Sequence, residues 1–255
     1  MKRLATALVL TPLIVWVVLG APQWAFLGVL AIIGGLAFYE YDRIAAEHGF
    51  LRAGIPGLVA GLALLLAPSP WVVATLAGVA AMTWSLRATD LAKSLPSAAA
   101  FLLGIVYIFG SWRTAVDLRE ISRHWLMFAL LINWAGDTAA YYVGRNFGKH
   151  KLAPRVSPAK TWEGAAGSVV GALVSGGVYA HYLLPETLVI VVLALATAGN
   201  VAGQIGDLCE SAFKRGAGVK DSGTLLPGHG GWLDRIDSSL FSVPVVYALV
   251  RLVTK

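Results

Sequence analysis

Nine apolar stretches, fourteen to twenty-one residues long and parted by polar turns and loops, run through this chain. They lie near residues 4–20, 24–41, 54–67, 71–86, 96–112, 125–144, 164–184, 187–206 and 239–254. A segment that crosses lipid must satisfy its backbone hydrogen bonds internally, so repeated apolar runs of this length predict helices. Composition points the same way. Of the 255 residues, 57% are hydrophobic and 13% charged, against about 25% charged in soluble domains, and mean hydropathy is +0.71. The expected fold is all-α and polytopic, with about nine transmembrane helices and a large charged loop between the last two. The third stretch, GIPGLVAGLALLLA, falls short of the ~20 residues of a comfortable span and suits a re-entrant or tilted segment. Lys2 and Arg3 ahead of the first stretch imitate a signal peptide, but Leu19-Gly20-Ala21 is a poor cleavage site, so an uncleaved first helix is expected.

Charge then orients the spans. The net charge of +6 does not imply nucleic acid, because basic residues are expected in the cytoplasmic loops of a membrane protein. With the N-terminus inside and nine alternating spans, the outside segments keep Arg113, Arg119, Arg123, Arg251 and Lys255. The inside segments then hold 15 of the 20 Lys/Arg residues. The stretch 113–124 is the discordant loop and suits a surface helix. Cys209 is the single cysteine, which excludes an intrachain disulfide and a cysteine zinc cluster. Polarity is uneven along the chain. Residues 1–124 read as N-terminal scaffold helices, about five spans. Residues 125–255 read as a catalytic region of about four spans with inner loops 145–163 and 207–238.

Two carboxylates fall inside or beside apolar spans. Asp137 sits in LLINWAGDTAAYYVGR and Asp207 in AGNVAGQIGDLCES. A carboxylate at membrane depth costs a few kcal/mol and tends to face a polar cavity; the alternative for each is a solvated interfacial position. Asn200, Gln204 and Asp207 are spaced four and three apart, so a helix sets them on one face. In RNFGKHKLAPRVSPAKTWEG, Ser157 is the expected N-cap of the seventh helix, with Pro158 at its first position. Lys160 beside that helix start suits a phosphate.

The densest chemistry lies in SAFKRGAGVKDSGTLLPGHGGWLDRIDS, Ser211 to Ser238. Its glycine turns, Gly216-Ala217-Gly218 and Gly228-His229-Gly230-Gly231, let backbone approach a ligand closely. Lys214, Arg215, Lys220 and Arg235 suit phosphate oxygens. Asp207, Asp221, Asp234 and Asp237 suit a hard cation such as Mg²⁺, which takes one or two carboxylates plus substrate phosphates. Carboxylates and cations interleaved in this way fit metal–nucleotide chemistry.

The segment resembles the signature of the phosphatidate cytidylyltransferase (CDP-diacylglycerol synthase) family. The match runs through Ser211, Lys214-Arg215, Lys220-Asp221, Pro227 to Gly231, and Asp234-Arg235-x-Asp237, and GKHKLAPRVSPAKTWEG upstream is also similar to that family. The resemblance covers roughly residues 130–245. Two departures stand out: Gly136 precedes Asp137 where relatives tend to carry Asn, and Trp232 replaces an aliphatic residue.

The resemblance implies an enzyme of phospholipid biosynthesis, a nucleotidyltransferase that joins CTP to phosphatidate, giving CDP-diacylglycerol and pyrophosphate with Mg²⁺. Two anions must be brought together, so catalysis rests on charge neutralisation and in-line positioning. The implied metal ligands are Asp207 and Asp234, with room for a second cation. Lys214 and Asp221 complete the implied catalytic set. Ser157, Lys160, Arg215, Lys220, His229, Arg235 and Asp137 are the implied substrate-binding residues, while Asp237 suits either the cation or an N-cap of the ninth helix. The implied partners are CTP and phosphatidate in the lipid phase, and the implied location is a bacterial inner membrane with the active-site loops cytoplasmic. The small-residue run GSVVGALVSGG at 167–177 suits helix packing within one subunit or in a homodimer. Two rivals stay open: a CTP-dependent lipid or polyprenol kinase, and an ion-coupled transporter using Asp137 and Asp207.

Overall fold

The computed structural model describes residues 2–224 and 230–253, with side chains from Leu10 onward. The described chain is almost entirely helical: α1 (Lys2–Leu19), α2 (Gln23–Glu47), α3 (Gly54–Leu66), α4 (Pro70–Ser85), α5 (Ser94–Gly104), α6 (Ser111–Ile121), α7 (Arg123–Phe147), α8 (Trp162–Leu183), α9 (Val189–Gly216) and α10 (Leu233–Val253). A π-helical stretch, Ile105–Gly110, joins α5 to α6. Four described helices are long and apolar enough to cross a membrane: Gln23–Glu47, Leu91–Ile121, Val189–Gly216 and Leu233–Val253. Shorter apolar helices cover Leu10–Leu19, Gly54–Leu66 and Pro70–Ser85. At 1.5 Å per residue α3 is only about 20 Å long, against a hydrocarbon core of about 30 Å.

The outer surface is that of a protein bathed in lipid. Trp71 is 84% exposed and Trp24 78%, and Leu95, Val174, Tyr182 and Ile190 are also open. Such a spread of exposed large apolar side chains is unfavourable in water and expected against acyl chains. The chain is an all-α integral membrane protein.

Several local expectations are corrected. The stretch 113–124 is not a loop: Ser111–Ile121 is helical and continues the fifth span. It is not a surface helix either, because Ala115, Val116, Leu118 and Arg119 on it are buried. Ser157 does not cap a helix. Residues Lys151–Ala153 (β1) and Ser157–Thr161 (β2) form a small antiparallel hairpin, with Lys151 opposite Thr161 and Ala153 opposite Ser157. The helix starts later because Thr161 supplies the cap, its Oγ1 accepting the Gly164 N–H at 3.1 Å. Pro158 lacks a ladder donor and sits where a two-stranded ribbon tolerates it.

The charged segment is also less of a loop than expected. Helix α9 continues through Asp207 to Gly216, its last turn carrying Lys214 and Arg215, whose charges suit a helix C-terminus. Gly218, at φ +73°, then turns the chain away. Helix α10 begins at Leu233, ahead of Asp237, so Asp237 is a buried residue inside the helix and not its N-cap. Its Oδ1 accepts the Ser238 N–H at 2.7 Å.

The chain divides into two compact units. One comprises residues 1–113 with 213–235, the other residues 114–212 with 236–255. In the second, α7 and α8 pack closely through small residues. A Cβ on Gly167 would meet Val143 at 2.7 Å, one on Gly171 would meet Ala139 at 2.7 Å, and one on Gly176 would meet Phe128 at 2.9 Å. These glycines of the 167–177 run therefore serve packing within one chain.

Candidate active site

In the unit of residues 114–212 and 236–255, α9 carries a polar stripe. Its 28 residues span about 42 Å, and Asp207 lies about 27 Å along it. Three of the stripe's residues were expected from their spacing, and Ser211 extends it by one more turn. Asn200 is buried and donates to Ser168 Oγ at 3.1 Å and to the Ile132 carbonyl at 3.3 Å. Gln204 donates to Asn200 Oδ1 at 2.8 Å and to the Ala165 carbonyl at 3.3 Å. The Ser211 hydroxyl donates to Asp207 Oδ1 at 3.3 Å.

Asp207 Oδ2 meets Lys160 Nζ at 2.7 Å, with the two side chains 34% and 25% exposed. Lys160 is delivered by β2, one residue before the Thr161 cap, so the hairpin and the α8 start together aim it at α9. Asp137, exposed on α7, lies within electrostatic reach of both Asp207 and Lys160. The structure thus gathers Asp137, Lys160 and Asp207. Ser157 stays at the turn end of the hairpin and does not join them.

Gly136, the departure beside Asp137, has a packing reason. A Cβ there would fall on the Asn200 amide and lie 2.7 Å from Ser168 Oγ. Glycine leaves room for the Ser168–Asn200 hydrogen bond.

Outside the apolar stretch, His150 Nδ1 lies 2.6 Å from Glu163 Oε1, which ties the hairpin entrance to the first turn of α8. Backbone N–H donation, first from Glu163 itself, and the His150 contact hold the Glu163 carboxyl at about 2, down from 4.5.

In the unit of residues 1–113 and 213–235, the centre is Asp234. It sits in the first turn of α10, where a negative charge suits the helix N-terminus. Its carboxylate is 8% exposed and forms an ion pair with Lys214, itself 10% exposed. It also accepts the Ser222 N–H at 3.0 Å and the Gly231 N–H at 2.8 Å. The Ser222 N–H also reaches the other carboxylate oxygen at 3.3 Å, so contacts from the described residues engage all of the about four acceptor sites of a carboxylate. Arg215 reaches the Val219 carbonyl at 3.1 Å and closes the turn after α9. Lys220, Asp221 and Arg235 are exposed around this centre, and His229 lies outside the described residues.

One member of this cluster was missed. Glu40, on α2, is 1% exposed and accepts the Ser222 hydroxyl and the Leu233 N–H, both at 2.9 Å. Its partners lie 182 and 193 residues away, so no local motif marks it. A burial argument alone had a chance, since Glu40 lies among the apolar residues of a spanning helix.

Mg²⁺ needs few protein carboxylates when phosphates supply the remaining oxygens. Among the described residues no group of three or more His, Cys, Asp or Glu is gathered for a metal. Asp207, partly open and contacted among the described residues by a lysine and a hydroxyl, fits a hard cation. Asp234 fits one by exchanging its Lys214 contact for the cation.

A model of the Cytidylyltransferase family matches residues 1–253. The chain is 38% identical over 225 residues to a phosphatidate cytidylyltransferase of Staphylococcus saprophyticus, covering 84% of this chain and 86% of the relative. It is 39% identical over 206 residues to the protein of that name from Staphylococcus epidermidis, and 38% identical over 206 residues to that from Staphylococcus aureus. Each of these two matches covers 77% of this chain and 79% of the relative.

Proposed function

This chain belongs to the cytidylyltransferase family, and from that premise we propose that it is the enzyme joining CTP to phosphatidate in phospholipid synthesis. An oxygen of the lipid phosphate forms a bond to the α-phosphorus of CTP. The bond from that phosphorus to the bridging oxygen of the β-phosphate breaks, and its electron pair leaves with pyrophosphate. The product is CDP-diacylglycerol. The attacking phosphate is already anionic near neutral pH, so the site must hold two anions in line rather than remove a proton.

The observation that carries this function is the family match over residues 1–253, which takes in every polar residue of both clusters. The chemistry of the clusters supports it. Lys160 is held by Asp207 on α9, and Lys214, in the last turn of α9, is held by Asp234 in the first turn of α10. In our proposal Lys160, Lys214, Arg215, Lys220 and Arg235 bind phosphate oxygens, and Asp137 and Asp221 order those cations. Ser157 and His229 belong to the substrate-binding set on the resemblance alone. Asp207 and Asp234 are the proposed carboxylate ligands of divalent cations. Bound Mg²⁺ would supply charge neutralisation on the transferring phosphate.

Our proposal places the chain in a bacterial inner membrane with nine spans, and the Lys/Arg bias supports its cytoplasmic N-terminus and cytoplasmic active-site segments.

The test is product identification. Detergent-purified protein given phosphatidate, CTP and Mg²⁺ is expected to convert the lipid to a species heavier by CMP, with one pyrophosphate released per lipid. A lipid heavier by a single phosphate assigns a kinase instead.

A further inference from the structure

Glu40 is used by nothing in the reaction as described so far, yet it sits at the root of the Asp234 cluster. Its Oε2 accepts both the Ser222 hydroxyl and the Leu233 N–H. Its Oε1 is buried without a hydrogen-bond partner among the described residues. The backbone comes down onto this carboxylate from two sides: a Cβ on Gly223 would collide with Oε1, and one on Gly231 with Oε2 and the Ser222 hydroxyl. Only glycine permits that approach at either point.

Ser222 is the link. Its hydroxyl donates to Glu40 while its backbone N–H donates to Asp234. Leu233 is the other link, being the first residue of α10 and the neighbour of Asp234. A carboxylate from α2 therefore caps α10 from a distant part of the sequence and fixes the residue that presents the Asp234 N–H and side chain. An apolar side chain in the same space would avoid burying an acceptor that has no donor among the described residues. The carboxylate is worth that cost if its task is to hold Ser222 and Leu233.

Building on the function proposed above, we propose that Glu40 is a positioning residue for nucleotidyl transfer, which holds Ser222 and the first turn of α10 so that Asp234 is presented in its working geometry. Glu40 touches no substrate in this scheme; it acts through Ser222 and Leu233.

The experiment compares Glu40→Gln, Glu40→Leu, Ser222→Ala and the double variant Glu40→Leu/Ser222→Ala in the intact, detergent-purified protein. Amide exchange at Gly231, Leu233 and Asp234 is measured without substrate or metal, and kcat and KM are measured separately. Faster exchange at Leu233 is expected in Glu40→Leu and Ser222→Ala, with at least a tenfold fall in kcat and a KM for phosphatidate within threefold of the parent. Glu40→Gln keeps an acceptor oxygen and is expected to lie between. The double variant is expected to lose no more than the worse single variant, because both act through one contact. Losses that multiply, unchanged exchange at Leu233, or full kcat in Glu40→Leu would each overturn the proposal. If Glu40→Leu does not fold, Ser222→Ala and Glu40→Gln decide by the same readouts. If the parent transfers no CMP, the function fails on its own, while the exchange data still test the positioning of Asp234.

Discussion

Lys160 Nζ lies 2.7 Å from Asp207 Oδ2, an ion pair between a hairpin strand and a helix long and apolar enough to cross a membrane. Neither side chain is fully buried, and that sets what the pair does. A partly exposed pair contributes about 0–1 kcal/mol to stability, which accords with the substrate and cation roles proposed for Lys160 and Asp207.

Asp207→Asn should therefore separate activity from stability. Turnover is expected to fall by about 10²–10³, the scale for loss of one electrostatic group at a reacting phosphate. The melting temperature should stay within a few degrees of the parent. Thermal unfolding and a CMP-transfer assay on the same preparation check both halves.

The Lys214–Asp234 pair should behave differently, since its side chains are only 10% and 8% exposed. Removing one partner of a buried pair costs about 3–5 kcal/mol. Lys214→Ala and Asp234→Asn should each lower both the melting temperature and kcat. The paired change Lys214→Met/Asp234→Leu should regain much of the stability and none of the activity. Denaturant unfolding monitored alongside turnover distinguishes the two effects.

Gly136→Ala tests the packing beside Asp137. The added Cβ meets the Asn200 amide and Ser168 Oγ inside a buried contact, and overpacking of this kind costs about 1–3 kcal/mol. The expected result is a lower melting temperature that Asn200→Ala partly restores in the double variant. An unchanged melting temperature in the single variant would show that α7 and α9 accommodate a methyl group.

The Glu163 carboxyl is held at about 2 in the folded protein, below its ordinary 4.5. A depressed carboxylate contributes stability above its unfolded value and loses it as pH falls through the folded one. The advantage of the parent over Glu163→Gln should accordingly be complete above pH 4.5 and fade towards pH 2. Melting curves of the two proteins across that window check the direction.

Much of the fold was legible because lipid imposes a simple rule: an apolar run must be a helix. Helix ends were less legible, because they depend on which polar side chain reaches a backbone donor. Ser157 and Pro158 have the composition of a helix start, yet Thr161 makes the cap and the preceding residues pair with Lys151–Ala153. A cap was one of the two readings of Asp237 for the same reason, although α10 already begins at Leu233. At the site, the Asn200–Gln204–Asp207 stripe followed from helical spacing alone. The partners of Asp207 and Asp234 did not, because Lys160 arrives from another element and Ser222 and Gly231 act through backbone N–H groups. Glu40 carried no local motif, because its contacts are made across most of the chain, and only its place in an apolar helix could have marked it.

The central claim is that CMP, and not phosphate, passes to the lipid at a site containing Asp207. The most direct measurement supplies purified parent protein and Asp207→Asn with phosphatidate, Mg²⁺ and CTP labelled at either the α- or the γ-phosphate. The account predicts lipid label from the α-position only, in the parent, reduced at least a hundredfold in the variant. Lipid label from the γ-position, or an Asp207→Asn protein that transfers α-label at the parent rate, would contradict it.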